Sequence, residues 1–279
     1  MLGDSQTYEC EGHACPQRME GKKHMPVILE VDHLTVKYSD KYALEDVSFS
    51  VQEGERVAIV GPNGAGKSTL FKALVGLLQP TRGTTKANGA EFGYVTQRSV
   101  VDWSFPVTVH DTVMMGRIAK IGWLRWQRPR DREIVRRCLA QVGMLEYANT
   151  QIAELSGGQQ QRVFIARALA QEATILLMDE PFSGVDAPST EAILEILDHL
   201  RDQNVTVLVS THDLNLAVER FDRLALLNRQ MIAYGLPNEA ITPQSLAAAY
   251  GGQALWQGED YALVVGDIDC CGEGGHNHG

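Results

Sequence analysis

Apolar residues in the first part of the chain follow two periods, that of a strand and that of a helix. Alternating or continuous β-branched and apolar residues predict three strands, over residues 27–38, 46–52 and 56–61. The last of these runs, RVAIVG, is almost continuously apolar, which predicts a strand buried on both faces. A helix is predicted to follow over residues 67–78, with an apolar face made of Leu70, Phe71, Leu74 and Leu78. These patterns predict a β-rich region that leads into a strand–helix unit.

The pattern becomes helical from about residue 98 to about residue 170 and then returns to alternation. In REIVRRCLAQVGM the apolar stripe consists of Ile134, Val135, Cys138, Leu139 and Val142. From residue 174 onward, predicted strands over 174–180, 205–211, 223–228 and 231–235 alternate with predicted helices over 188–203 and 213–219. Such alternation is typical of a mostly parallel sheet with helices on both faces. The sequence therefore predicts an α/β core that a helical insertion interrupts.

Composition and charge narrow the classes of protein. The chain has 279 residues, of which 44% are hydrophobic and 22% charged, and its formal net charge is −10. This negative charge argues against nucleic acid as the main partner. The longest apolar runs, ILLM and LALL, are far shorter than the roughly 20 residues that span a bilayer. Because no charged-then-apolar signal segment opens the chain, we expect a cytoplasmic protein.

The two ends of the chain differ from the rest. Residues 1–25 form a polar tail and residues 251–279 a glycine-rich tail. Cysteines and histidines concentrate in these tails, as Cys10, His13, Cys15, His24, Cys270, Cys271, His276 and His278. The remaining cysteine, Cys138, lies between the two tails. The thiols and imidazoles of DCCGEGGHNHG suit Zn²⁺ and, less well, Mn²⁺. The alternative is a disordered tail in which these residues have no metal role.

A phosphate-binding loop is predicted at GPNGAGKST. It fits the pattern G-x-x-x-x-G-K-[ST] between a buried strand and a helix, the context that this motif requires. Its glycines allow consecutive N–H groups to face phosphates, Lys67 supplies a positive charge, and the Ser68 hydroxyl suits Mg²⁺. The predicted nucleotide-binding residues are Gly61, Pro62, Asn63, Gly64, Ala65, Gly66, Lys67, Ser68 and Thr69.

Two further segments complete the predicted catalytic site. ILLMDE is an apolar strand that ends in acids, so Asp179 would lie at the carboxyl edge of the sheet, where it can hold Mg²⁺. The next residue, Glu180, can polarise a water molecule as a general base. The strand VTVLV is followed by STH, which places His212 at the same edge. The three side chains are predicted to meet beside the phosphates.

A second anion-binding loop occurs at LSGGQQQR, residues 155–162. With this loop, the phosphate loop, ILLMDE and THD, the chain resembles the ATP-binding subunit of an ABC transporter over roughly residues 26–250. The resemblance implies an α/β, ABC-type nucleotide-binding domain with a RecA-like P-loop core, an N-terminal antiparallel β subdomain and an inserted helical subdomain at about 98–170. It also implies ATP and Mg²⁺ as cofactors.

In that family two such domains face each other head to tail, with two ATP molecules between them. The resemblance therefore assigns the residues of the second loop, Ser156, Gly157, Gly158 and Gln159, to the γ-phosphate of the ATP held by a second copy of the chain. Three more positions match. Tyr38 resembles the aromatic residue that stacks on adenine, for which Tyr42 is a weaker candidate. Gln97 resembles the glutamine that senses Mg²⁺ and the γ-phosphate, and Asp186 lies in a loop that resembles the one coupling the two sites.

The function implied is that of an importer subunit on a separate integral membrane permease, at the cytoplasmic face of the membrane. VDWSFPVTV resembles the ATPase subunits of importers for manganese, zinc and ferrous iron, which would work indirectly with an extracytoplasmic metal-binding protein. Trp103, Phe105 and Pro106 in this loop would contact the permease, or else anchor the insertion's own helices. The other function considered is that of the soluble ATPase of iron–sulfur cluster assembly, which has no permease.

The segment RIAKIGWLRWQRPR, residues 117–130, is basic and contains two tryptophans. Such a composition suits anionic headgroups or nucleic acid. The interpretation favoured from sequence is that Trp123 and Trp126 pack on the insertion and that the arginines are solvated.

Overall fold

The computed structural model describes residues 25–97, 106–122, 126–251, 254–257 and 262–265. The strands are β1 (Val27–Tyr38), β2 (Lys41–Gln52), β3 (Arg56–Val60), β4 (Arg82–Ala87), β5 (Phe92–Val95), β6 (Ile175–Asp179), β7 (Thr206–Thr211), β8 (Arg223–Asn228), β9 (Gln230–Gly235), β10 (Ala254–Gln257) and β11 (Ala262–Val265). The helices are α1 (Lys67–Leu74), α2 (Val109–Met115), α3 (Ile118–Ile121), α4 (Pro129–Gln141), α5 (Gly157–Leu169), α6 (Ala187–Asp202), α7 (Leu214–Arg220), α8 (Pro237–Ala240) and α9 (Pro243–Tyr250).

The central sheet has six strands in the order β5-β6-β7-β3-β8-β9. Neighbouring strands are parallel except for β8 and β9, which are antiparallel. A separate antiparallel sheet has the order β2-β1-β4. The predicted mostly parallel sheet and the antiparallel β subdomain are both confirmed. Because parallel strands end at the same edge, the loops after β3, β6 and β7 meet there.

The central sheet separates two hydrophobic cores. Alternate residues of β6 face opposite sides, so that Leu176 and Met178 pack in one core and Ile175 and Leu177 in the other. The first core contains apolar residues of α2, α4, α5 and α6, and the second contains those of α1 and the antiparallel sheet. Burial on both faces explains why the sequence of β6 is continuously apolar. The predicted stripe on α4 is buried as expected.

Two predicted segments differ from the structure. The helix predicted over residues 67–78 ends at Leu74 instead, because Gly76 takes a left-handed φ of 75° and the Leu77 and Leu78 N–H groups both donate to the Lys72 carbonyl. Leu78 is half-buried against the second core, outside the helix. Within the predicted glycine-rich tail, β10 and β11 pair as an antiparallel hairpin. In the described ranges no helix is both long and apolar enough to cross a membrane.

A buried ionic cluster joins the helices of the insertion. Arg117 is 4% exposed, and its guanidinium donates to Asp131 Oδ1 at 3.1 Å, to the Ala170 carbonyl at 2.8 Å and to Glu172 Oε2 at 2.8 Å. Burial by itself would lower the pKa of Arg117. The hydrogen bonds to Glu172 and Asp131 outweigh that effect, so the pKa of Arg117 is raised. One side chain therefore connects the end of α2, the start of α4 and the end of α5.

We expect Arg117→Met to lower the free energy of unfolding by about 3–5 kcal/mol, because it leaves the carboxylate of Asp131 buried without its partner. Arg130→Met is the matched control. Arg130 is 80% exposed and lies 3.7 Å from Glu172, so its loss should cost at most about 1 kcal/mol. Urea denaturation of both variants tests this expectation, and equal losses would show that the cluster does not hold the helices together.

Candidate active site

The loop between β3 and α1 closes around the ammonium group of Lys67. Lys67 Nζ donates to the carbonyls of Gly61 at 2.7 Å and Pro62 at 3.2 Å, and Lys67 is 6% exposed. Glycine is required at two turns of this loop. A Cβ on Gly61 would lie 2.0 Å from the Leu227 carbonyl oxygen, and Gly66 has a φ of 99°. The predicted phosphate loop therefore has the tight path that its glycines allow.

Lys67 is close to the acids that follow β6. Its Nζ lies 3.8 Å from Glu180 Oε1. Burial lowers the pKa of Lys67, and the charges of Glu180 and Asp179 counteract that effect. Because these acids offset only part of the cost of burying the ammonium charge, an anionic ligand would stabilise it further. This loop can therefore hold the phosphates of a nucleotide.

Ser210 connects the two acids. Its hydroxyl donates to Asp179 Oδ1 at 2.6 Å and accepts the backbone N–H of Glu180 at 2.9 Å. On the other side, the Tyr94 hydroxyl donates to Asp179 Oδ2 at 3.4 Å, and burial raises the pKa of that hydroxyl. Glu180 has a left-handed φ of 48°. Ser210 and Tyr94 thus hold the carboxylate of Asp179, and Ser210 also holds the backbone of Glu180.

Sequence reasoning missed Ser210 and Tyr94. The signal for Ser210 is the register of the sheet, in which Ser210 of β7 lies directly opposite Asp179 of β6. Its hydroxyl, one residue before the predicted site segment THD, thereby reaches the Asp179 carboxylate and the Glu180 N–H. Tyr94 lies on β5, the other neighbour of β6. Neither contact is visible without the strand order.

A cleft opens over the phosphate loop. Its volume is about 460 Å³, and among the residues that line it are Gly61, Asn63, Glu180, His212 and Tyr250. Gln97, which follows β5, donates from Nε2 to Glu180 Oε2 at 3.4 Å. The structure therefore brings together Lys67, Asp179, Glu180, Gln97 and His212, as the sequence predicted for one catalytic site.

The second anion-binding loop forms the amino terminus of α5, outside this cleft. Ser156 Oγ accepts the Gln159 N–H at 3.3 Å, and Gln159 Oε1 accepts the Ser156 N–H at 2.9 Å. A Cβ on Gly158 would lie 2.3 Å from Ser189, so this loop packs against the start of α6. There Asp186 Oδ1 accepts the Ser189 N–H at 2.9 Å. The loop thus forms the amino end of a 13-residue helix, with the Ser156 and Gln159 N–H groups bonded within the cap, and it does not line its own chain's cleft.

The two candidate aromatic residues for adenine differ in their surroundings. Tyr38 ends β1 and is 49% exposed, and Tyr42 at the start of β2 is 40% exposed. The ammonium of Lys37 lies 4.1 Å from the centroid of the Tyr42 ring and so covers one face of that ring. This difference favours Tyr38 as the stacking residue.

Several predicted residues lie outside the described residues. They are Trp103 and Phe105 of the predicted permease loop, Trp123, and the cysteines and histidines of both tails. Pro106 is described and exposed. Cys138 is buried, and burial raises the pKa of its thiol to about 11. No group of three metal-binding side chains occurs in the part of the chain that is described, so metal binding by the tails stays a prediction.

The interpretation of Trp126 as a packed residue is wrong. Trp126 is 93% exposed, because it lies in an extended segment before α4 whose side chains face away from the first core. Arg128 and Arg130 are exposed as expected, whereas the prediction that the arginines of this segment are solvated is wrong for Arg117, which is 4% exposed because it forms the ionic cluster.

The structure combines a parallel sheet, a glycine loop with a buried lysine after β3, and paired acids at the end of β6. Together these features define a P-loop nucleoside triphosphatase. Residues 44–183 match the ABC transporter family. The chain belongs to this family, as the resemblance predicted, and is one of its ATP-hydrolysing cassettes.

Two curated relatives are similar over nearly their whole length. The manganese transport system ATP-binding protein MntB of Halalkalibacterium halodurans is 45% identical over 249 residues, 86% of this chain and 99% of the relative. The zinc transport system ATP-binding protein TroB of Treponema pallidum is 47% identical over 232 residues, 81% of this chain and 87% of the relative.

Two solved structures are also similar. One is a metal-chelate type ABC transporter in an inward-facing conformation, with a TM-score of 0.76 and 30% identity over 85% of this chain and 94% of that one. The other is an ATP-binding cassette solved as a dimer bound to ADP and Pi, with a TM-score of 0.64 and 29% identity over 75% of this chain and 98% of that one. The fold predicted from the sequence is confirmed.

Proposed function

We propose that the chain hydrolyses ATP to drive the import of a divalent transition metal, manganese, zinc or iron, through a separate permease. The observation that carries this proposal is the 45% identity, over almost the full length of the relative, to a manganese transport subunit. A zinc transport subunit is similar to about the same degree, so the cargo is assigned only as a class of metal. An extracytoplasmic metal-binding protein would deliver the metal, and this chain would act at the cytoplasmic face.

The geometry of the cleft supports a role for each residue. Lys67 exchanges its carbonyl partners for β- and γ-phosphate oxygens when ATP binds. Glu180 orients the attacking water and accepts its proton, and Gln97, which contacts Glu180, would align that carboxylate with the γ-phosphate. His212, which lines the same cleft, donates to the γ-phosphate as charge develops there.

The oxygen donors at this site suit Mg²⁺. The carboxylate of Asp179, the hydroxyl of Ser68 and the amide oxygen of Gln97 are the hard ligands that Mg²⁺ prefers, together with water and phosphate. When bound, Mg²⁺ would neutralise charge on the β- and γ-phosphates. Ser210 and Tyr94 would keep the Asp179 carboxylate turned toward it.

A second copy of the chain would complete each site. The Ser156–Gln159 loop, with its N–H groups at the amino end of α5, does not line its own chain's cleft. A similar cassette is dimeric with ADP and Pi bound. In a head-to-tail dimer these N–H groups would contact the γ-phosphate held by the partner's Lys67, and Asp186 would lie at the seam between the two sites.

We expect Ser210→Ala to lower the rate of ATP hydrolysis about tenfold, because Asp179 and the Glu180 N–H lose a shared buried partner. Ser210→Thr keeps the hydroxyl and should retain most of the rate. The measurement is phosphate release at saturating ATP, with the KM for ATP determined in parallel. An unchanged rate in the alanine variant would show that the two carboxylates are held without Ser210.

Uptake of radioactive manganese and zinc into vesicles that contain the permease and this chain tests the proposed function. We expect uptake to need ATP and the chain, and replacement of Trp103 and Phe105 by alanine to abolish uptake while ATP binding persists. A sharp fall in melting temperature would instead place these rings in the chain's own core. If the chain co-purified with soluble iron–sulfur assembly proteins and with no integral membrane protein, the proposal would be contradicted. The alternative, a soluble ATPase of iron–sulfur cluster assembly, would then be favoured.

A further inference from the structure

Tyr250 lines the cleft over the phosphate loop with a hydroxyl that lacks a hydrogen-bond partner. It is the last residue of α9, and its ring packs against the first core. The hydroxyl oxygen is buried and makes no hydrogen bond to any of the described residues. A buried hydroxyl without a partner lowers stability, whereas a phenylalanine ring would fill the same space without that cost. A hydroxyl at such a position indicates a partner that it gains when the cleft is occupied.

The strand order places His212 and α9 on opposite sides of the phosphate loop. Strands β7 and β8 flank β3, and Thr211 of β7 and Leu226 of β8 both pair with Val60 of β3. Because neighbouring strands are about 4.8 Å apart, Thr211 and Leu226 are separated by about 10 Å. His212 comes directly after Thr211. A histidine and a tyrosine side chain that extend from the two sides can meet across such a gap.

Helix α9 is bonded to the end of β8, at this edge of the sheet. Asn228, the last residue of β8, donates from Nδ2 to the carbonyl of Ala249 at 2.9 Å. Leu214, two residues after His212, is buried in the core on which the Tyr250 ring packs, and it lines the same cleft. The fold therefore keeps Tyr250 beside the segment that carries His212.

The imidazole of His212 also lacks a partner in the part of the chain that is described, and it is exposed to the cleft. The adjacent carboxylate is engaged elsewhere, because Asp213 Oδ1 accepts the Leu216 N–H at 3.0 Å and caps α7. A neutral imidazole that donates from Nε2 has an unprotonated Nδ1, and a hydrogen-bond donor at Nδ1 selects this tautomer. Burial raises the pKa of Tyr250 to about 12, so its hydroxyl keeps its proton near neutral pH and can be that donor.

We propose that the Tyr250 hydroxyl donates to Nδ1 of His212 when ATP is bound, an inference that rests on the proposed function for the role of His212. The bond would keep the imidazole proton on Nε2, from which His212 donates to the γ-phosphate. Tyr250 is then a positioning residue, because it acts on ATP only through His212. The hydroxyl lowers stability in the free chain and gains its partner when the imidazole turns toward the phosphate.

Tyr250→Phe removes the hydroxyl and keeps the ring, so it separates this role from packing. We expect kcat to fall about tenfold with an unchanged KM for ATP, because the lost bond acts after ATP has bound. The melting temperature of the nucleotide-free variant should equal or exceed that of the unmodified chain, since a buried unpaired hydroxyl is gone. Tyr147→Phe is the matched control, because Tyr147 packs on the same core outside the cleft and should leave kcat unchanged. A fall in melting temperature together with kcat would overturn the proposal, because the hydroxyl would then support the fold.

The tautomer of His212 can be measured directly by NMR of the full chain with isotope-labelled histidine. The preparation is Glu180→Gln with ATP and Mg²⁺, in which hydrolysis should be slow, and His212→Asn identifies the signal. We expect the proton on Nε2 in this chain and a mixture of both tautomers when Tyr250→Phe is added. The same tautomer in both preparations would overturn the proposal.

The activity of His212→Asn separates this inference from the proposed function. We expect this variant to lose at least as much of kcat as Tyr250→Phe. An impaired His212→Asn chain beside a fully active Tyr250→Phe chain would contradict the role of Tyr250 alone and leave the proposed function in place. Full hydrolysis by His212→Asn would contradict the proposed role of His212 and, with it, the role of Tyr250.

Discussion

A chain in which Glu180 is replaced by glutamine should bind ATP normally and hydrolyse it at least about a hundredfold more slowly. Glutamine keeps the shape of the side chain but has no basic oxygen to accept a proton from water. The surroundings of Glu180 are set for a carboxylate, with Lys67 Nζ 3.8 Å from Oε1 and Gln97 Nε2 3.4 Å from Oε2. Because ATP would not be consumed, the variant should accumulate as an ATP-bound dimer. Phosphate release and size-exclusion chromatography measure the two effects.

Glu191→Gln is the matched control for this experiment. Glu191 lies on α6, where its exposed carboxylate pairs with Arg220 at 2.5 Å. The same chemical change there should leave hydrolysis near the rate of the unmodified chain and cost at most about 1 kcal/mol of stability. Turnover of Glu180→Gln within a few fold of the unmodified chain would show that another group activates water.

Replacement of Ser156 by arginine should abolish hydrolysis at both sites of a dimer and leave ATP binding by the single chain intact. Ser156 caps α5 outside the cleft that contains Lys67, so a large cation there would obstruct only a partner's ATP. We expect a loss of about a hundredfold or more, as for removal of anion-stabilising donors. The measurements are nucleotide binding and phosphate release on the same preparation.

Two further preparations separate the possible causes. Ser156→Ala removes only the cap, which should cost about 1 kcal/mol of stability and a smaller part of the activity. A mixture of Ser156→Arg and Lys67→Ala chains has at most one intact site in each heterodimer, so its activity should recover only in part, if at all. Full hydrolysis by Ser156→Arg alone would show that the loop does not act on a partner's ATP.

The sequence predicted those parts of the site that are continuous in the chain. The phosphate loop is a run of nine residues, and Asp179 and Glu180 end one apolar strand, so local pattern was sufficient. Ser210 could not be predicted, because its contact with Asp179 spans 31 residues and depends on which strands are neighbours and in what register. Burial of a strand can be inferred from its composition, whereas hydrogen bonds between strands require their pairing.

The sequence was less informative about loops and element ends. The exposure of Trp126 was mispredicted because an aromatic residue in a segment without periodicity has no face that marks it as buried or exposed. The end of α1 was placed four residues too late, since Leu78 continues the apolar period while Gly76 stops the helix. The first error thus comes from the absence of a hydrophobic pattern, and the second from one residue whose backbone conformation outweighs the pattern.

The left-handed backbone at Glu180 sets stability and activity against each other. A non-glycine residue at a φ of 48° costs about 1 kcal/mol relative to glycine, which adopts this conformation without steric conflict. Glycine at this position would relieve that cost, but it would remove both the proposed base and a carboxylate that compensates the buried charge of Lys67. Selection for metal-dependent growth should therefore retain the glutamate despite its backbone strain.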